Sequence, residues 1–145
     1  MTTNPPDQLT GMVLDAAVLV DLVTTPLYTA AFAHRAAVHG VTLLVPAAAL
    51  AEAWQTIHGH ANTDHAGIER LNLFLASPLV VVEPLDETTA RRIGELAAGR
   101  TITPDVPAAH VALACRTRGW SALAGEPARV RAIDPTVEVV TLPGT

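Results

Sequence analysis

Two acidic residues stand out because their neighbours are so apolar. Asp15 closes the run Met12-Val13-Leu14 and opens another, Ala16-Ala17-Val18-Leu19-Val20. A carboxylate placed there is costly unless something compensates it. Either it caps the helix that follows, or it faces a ligand beyond the end of a strand. Glu52 is the only charge between positions 41 and 57. It either joins Gln55 on a thin polar face or points into a site. His58, His60, Asp64 and His65 form a third cluster. Neutral imidazoles bind Zn²⁺ or Ni²⁺, but nothing nearby would orient these rings, so a solvated loop is the simpler reading. Cys115 is the only cysteine, which excludes an intrachain disulfide and a thiolate metal cluster. His110 and Cys115 are five residues apart and fall on different helix faces, Cys115 reading as core. The sequence contains neither a glycine-rich phosphate loop nor a nucleophile elbow.

The elements that must carry these residues alternate along the chain. Short apolar runs at 12–15, 41–45, 79–82, 120–123 and 137–142 read as buried strands. Between them, helical patterns cover 16–23, 27–39, 47–57, 64–76, 87–98, 105–118 and 127–133. Asp86 and Asp105 suit N-caps, Pro46 and Pro107 first turns, and Gly40, Gly99 and Gly119 helix ends. This alternation predicts an α/β fold, a three-layer sandwich with a central, mainly parallel sheet between helices. Ligands in such folds bind beyond the carboxyl ends of the strands. Asp15 follows the first strand, and Gly125-Glu126 follows the fourth.

Composition agrees with a single domain. The chain has 145 residues, half of them hydrophobic and 3% aromatic, so its core is built from small aliphatic side chains. Residues 1–10 predict a flexible tail and residues 11–145 the domain. No secretory signal and no apolar run long enough to cross a bilayer is visible, so a soluble cytoplasmic protein is expected, with no membrane partner. The net charge is -5, which argues against tight non-specific nucleic-acid binding. The charge is uneven, however. Residues 1–87 hold two arginines against nine acids, and residues 88–145 hold seven against five. A local field can oppose the overall one.

Taken in order, these features resemble the PIN domain family, which includes the toxin ribonucleases of bacterial toxin–antitoxin pairs. The likeness runs from 12 to 142. It rests on the strand-Asp opening, the Pro-then-Glu helix of 46–54, the Ala-His-Val-Ala-Leu-Ala helix of 109–114, the Gly-Glu-Pro turn of 125–127 and the closing strand. The resemblance implies a PIN-like Mg²⁺- or Mn²⁺-dependent endoribonuclease, with carboxylates gathered at the sheet's carboxyl edge. Such ions prefer oxygen ligands and hold waters that can attack a phosphodiester.

Asp15 and Glu52 match the first two family acids. The third position is Ala108, the fourth is Glu126 with Ala124 in the usual hydroxyl position, and Ala17 stands where Ser is frequent. The expected catalytic and metal set is therefore Asp15, Glu52 and Glu126. Asp105, about 4.5 Å along the helix from Ala108, could supply a replacement ligand or simply cap its helix. Crowded carboxylates without a metal should raise at least one pKa. Arg116, Arg118, Arg129 and Arg131 are the candidate RNA contacts. The alternative is a catalytically inactive PIN-like module binding RNA or a protein partner. An antitoxin or a second copy is the expected protein partner, docking on apolar positions such as Tyr28, Phe32, Leu73 and Phe74.

Overall fold

The strand that carries Asp15 is also the one at the centre of the sheet. In the computed structural model, which describes residues 10–24, 26–59 and 65–141, β1 (Gly11–Leu14) pairs in parallel with β2 (Thr42–Pro46) on one side. On its other side it pairs in parallel with β4 (Ser121–Leu123). β3 (Val80–Glu83) adds to β2, and β5 (Val139–Val140) adds to β4, giving a five-stranded parallel sheet in the order β3-β2-β1-β4-β5. Gly11 starts β1 because a Cβ there would collide with the ring of Trp120.

Among the described residues seven helices flank the sheet: α1 (Ala16–Thr24), α2 (Pro26–His39), α3 (Ala47–Gly59), α4 (His65–Leu75), α5 (Glu87–Ala97), α6 (Val106–Arg118) and α7 (Pro127–Ile133). The predicted α/β architecture and its parallel sheet are thus what the chain adopts. Val13, Leu14, Leu43, Leu44, Val45 and Leu123 are almost completely buried, each burial contributing roughly 1.5–3 kcal/mol. α6 is the most enclosed helix, with every residue from Ala108 to Cys115 buried. Its small side chains let it lie close against β1, β2 and β4. Asp105 caps its start by accepting the Ala108 N–H, and Gly119, at φ 70°, ends it by donating to the Cys115 carbonyl. Burial pushes the Cys115 thiol up to about 12, which keeps it unreactive.

Some boundaries differ from those expected. Pro46 ends β2 opposite Glu83 instead of entering the following helix. The last strand is two residues long, with 137, 138 and 141 outside it, and position 142 of the expected strand lies outside the described residues. Asp134 accepts both the backbone N–H and the hydroxyl of Thr136, and that turn holds 135–137 out of the ladder. On the outer surface, Leu27 and Leu73 are exposed, whereas Phe32 and Phe74 pack partly against the core. Residues 1–9, the Tyr28 side chain, His60 and Asp64 lie outside the described residues. Among those described, no helix is long and apolar enough to cross a membrane.

Candidate functional site

β1 has one neighbour reached by early connections and another reached by late ones, so the order in which strands are added reverses beside it. That reversal opens a crevice beyond the carboxyl ends of the central strands. Asp15, Glu52, Ala108, Glu126 and Arg129 line it. The structure therefore brings Asp15, Glu52 and Glu126 together from β1, α3 and the start of α7. The space left between them is about 10 Å³, the lower limit for one water.

Asp15 is 7% exposed and does two jobs at once. One oxygen accepts the N–H of Val18 at 3.0 Å, capping α1. The same oxygen accepts the Gly125 N–H at 3.1 Å, and the other accepts the Glu126 N–H at 3.1 Å. The carboxylate thus ties the β1–α1 junction to the β4–α7 loop. That loop can approach because position 125 is glycine; a Cβ there would stand 2.7 Å from the Ala17 methyl.

Arg129 fills the centre of the acidic cluster. Its Nη1 and Nη2 donate to the two oxygens of Glu52 at 2.8 and 2.7 Å. Its Nε and Nη2 donate to the two oxygens of Asp105 at 2.9 and 2.7 Å. The remaining Nη1 hydrogen reaches Glu126 at 3.3 Å. A guanidinium carries five N–H donors, and all five are used. Both main contacts are bidentate, the strongest form of this pair. The hydrogen bonds from Arg129 hold the Asp105 carboxyl below the usual carboxylate range, partly opposed by burial, and the same contacts push the Arg129 pKa up. The expected upward shift from crowding is thus reversed at Asp105. Asp21, on α1, does shift upward, chiefly through burial and then through the Asp15 charge.

The four arginines do not form one surface. Arg129 turns inward, with no donor left for a phosphate. Arg116 and Arg118 lie at the other end of α6, the former 3.5 Å from Asp134. Arg118 lies 3.6 Å from Glu83 and over the Trp120 ring. Arg131 is exposed on α7. Of the histidine cluster, His58 stacks on Trp54 and His65 begins α4, so the two described histidines sit in separate elements.

Arg129, expected among the RNA contacts, instead faces the acids. The available signal was its spacing three residues after Glu126, which puts both on one face of α7. His110 bonds to a second helix, which its place on an alanine-rich helix does not reveal in the sequence. It is fully buried and its Nδ1 accepts the Ala48 N–H at the start of α3. Its Nε2 lies 3.9 Å from Glu83 and has no hydrogen-bond partner.

No family model matches the sequence, and no curated protein matches it. Solved structures do. The chain superposes on VapBC2 from Rickettsia felis, a crystal structure bound to a DNA fragment from their promoter, with a TM-score of 0.67 and 13% identity. The match covers 92% of this chain and 99% of that one. PAE2754 from Pyrobaculum aerophilum gives a TM-score of 0.61 at 14% identity, covering 91% of each chain. The chain has a PIN-like fold.

In this PIN-like fold the acids stand at the edge where the family resemblance implies Mg²⁺ or Mn²⁺, and their bonding decides whether such an ion fits. Glu52 and Asp105 give all four oxygens to Arg129, both Asp15 oxygens accept backbone N–H groups, and position 108 offers a methyl group. A hard divalent ion needs several oxygen ligands with free lone pairs. Among the described residues, no group of three or more His, Cys, Asp or Glu is arranged to hold a metal. The PIN-like crevice, as bonded here, does not fit a divalent ion.

Proposed function

We propose that this chain is a PIN-like protein of the toxin–antitoxin nuclease kind, acting on RNA, in which Mg²⁺- or Mn²⁺-dependent endoribonuclease activity is suppressed. The convergence of Asp15, Glu52, Asp105 and Glu126 beyond the carboxyl end of the sheet, where the PIN-family resemblance expects carboxylates, supports this reading. Asp15, Glu52 and Glu126 are the residues assigned to cleavage, with Asp105 standing in for the acid absent at 108. Arg131, exposed on the helix that follows Glu126, is the arginine best placed to meet a phosphate backbone. An antitoxin-type protein or a second copy would cover the exposed Leu27 and Leu73, and the cytoplasm is the expected setting.

A second reading, a catalytically inactive module that binds RNA or a protein, is favoured by Ala108. The two are separated with a labelled single-stranded RNA, measured for binding and for cleavage in Mn²⁺ and in chelator. Under the first reading the wild type cleaves slowly, Ala108→Asp cleaves about tenfold faster or more, and adding Asp15→Asn removes the gain. Binding without cleavage by any folded variant leaves the inactive module. Neither binding nor cleavage removes the nuclease and the RNA-binding module, leaving only a module that binds a protein.

A further inference from the structure

The crevice contains a cation already, and it is covalently part of the chain. We infer that the Arg129 guanidinium is the resident cation of the carboxylate cluster, and that its withdrawal, not metal supply, decides whether Glu52, Asp105 and Glu126 can take a divalent ion. The inference rests on reading the crevice as a PIN-like nuclease site, and concerns how that site is regulated.

Three observations carry it. The first is the match of number: five donors meet five carboxylate contacts, with no donor spare. A surface ion pair formed by chance uses one or two. The second is geometry. Glu52 is gripped end-on and Asp105 side-on, both with bonds of 2.7–2.9 Å, from elements 77 and 24 residues away from Arg129 along the chain. A planar fork satisfies two such carboxylates at once; a lysine could not. The third is the surroundings. Arg129 and its partners are only a fifth to a third exposed, apart from Glu126, so the pairing is screened less than a surface contact. The volume of an ion and its waters is taken by the guanidinium itself.

Exclusion of an ion is then competitive. A divalent ion drawn to Glu52 and Asp105 would have to share them with the guanidinium, whose positive charge between the two acids repels it. Arg129 lies on α7, outside the sheet, so a change of its side-chain rotamer leaves the strand pairing untouched.

Mn²⁺ uptake measured by water-proton relaxation, without RNA, tests this directly, together with melting in Mn²⁺ and in chelator. The wild type is expected to take up no Mn²⁺ in the micromolar range and to melt at the same temperature in both conditions. Arg129→Met should bind Mn²⁺ at least about tenfold more tightly, melt lower in chelator, and recover about 5 °C or more with saturating Mn²⁺. Arg91→Met, which removes an exposed arginine on α5, should behave as wild type. If Arg129→Met does not fold, Arg129→Lys supplies the answer, because its ammonium leaves acceptors free and the folded variant must show intermediate uptake. Wild-type Mn²⁺ binding that is lost on Glu52→Gln overturns the inference, as does a folded Arg129 variant without uptake. Either result leaves RNA binding and cleavage to be judged separately.

Discussion

Asp15 shows how one side chain can satisfy two explanations. As a helix cap it needs one acceptor, and it uses that acceptor on Val18. Its further bonds to Gly125 and Glu126 add a long-range clamp that a cap alone does not require. Asp15→Ala strands three backbone donors in a nearly dry place and should cost about 3 kcal/mol in urea unfolding. Asp15→Asn keeps the acceptor shared by Val18 and Gly125 but turns an NH₂ group toward the Glu126 N–H, and should cost about 1.5 kcal/mol. Equal losses for the two variants would mean that the clamp to the loop adds nothing. Apolar neighbours single out Asp15 and Glu52 in the sequence, but with Glu126 they are legible as a set only through the PIN-family resemblance. The sequence did not reveal where Arg129 points. Any arginine near a carboxylate crevice can face outward to phosphate or inward to the acids, and only the positions of Glu52 and Asp105 decide between them.

At the scale of elements, helices with a cap or a glycine stop were the most legible. The limits of α6 and α7 follow from Asp105, Gly119 and Pro127, whose local chemistry acts within a turn. The closing strand was overextended because its apolar residues suggested pairing, while the competing Asp134–Thr136 turn depends on side-chain hydrogen bonds that periodicity does not register. The link from α6 to α3 was equally hidden, since His110 looks like any polar residue on an alanine-rich helix. Burial holds the His110 pKa below its ordinary 6.5, partly opposed by the Glu83 charge. Below about pH 6.5 the unfolded chain therefore binds the proton first. Stability should fall as the pH drops from about 7 toward the lowered folded value, and urea midpoints taken along that range will show it. His110→Gln, which retains an acceptor for Ala48 without a titrating ring, should flatten the dependence.

Across the whole molecule, stability should grade outward from β1. That strand has partners on both sides and buried side chains, whereas β5 contributes two residues at one margin and β3 leaves Val81 and Val82 partly open at the other. Hydrogen exchange is expected to be slowest in β1, β2 and α6 and fastest in β5; uniform protection across the sheet would contradict this grading. The acidic crevice thus sits on the least yielding part of the fold, and its cation is held there by donors matched one for one to their acceptors. That matching has a consequence for inheritance. Losing Glu126 leaves one arginine hydrogen without a partner, losing Glu52 or Asp105 leaves two, and losing the arginine leaves like charges facing one another. Positions 52, 105, 126 and 129 are therefore expected to vary together among descendants of this chain, each change opening the way for the next, with the singly changed chains less stable than those changed in concert.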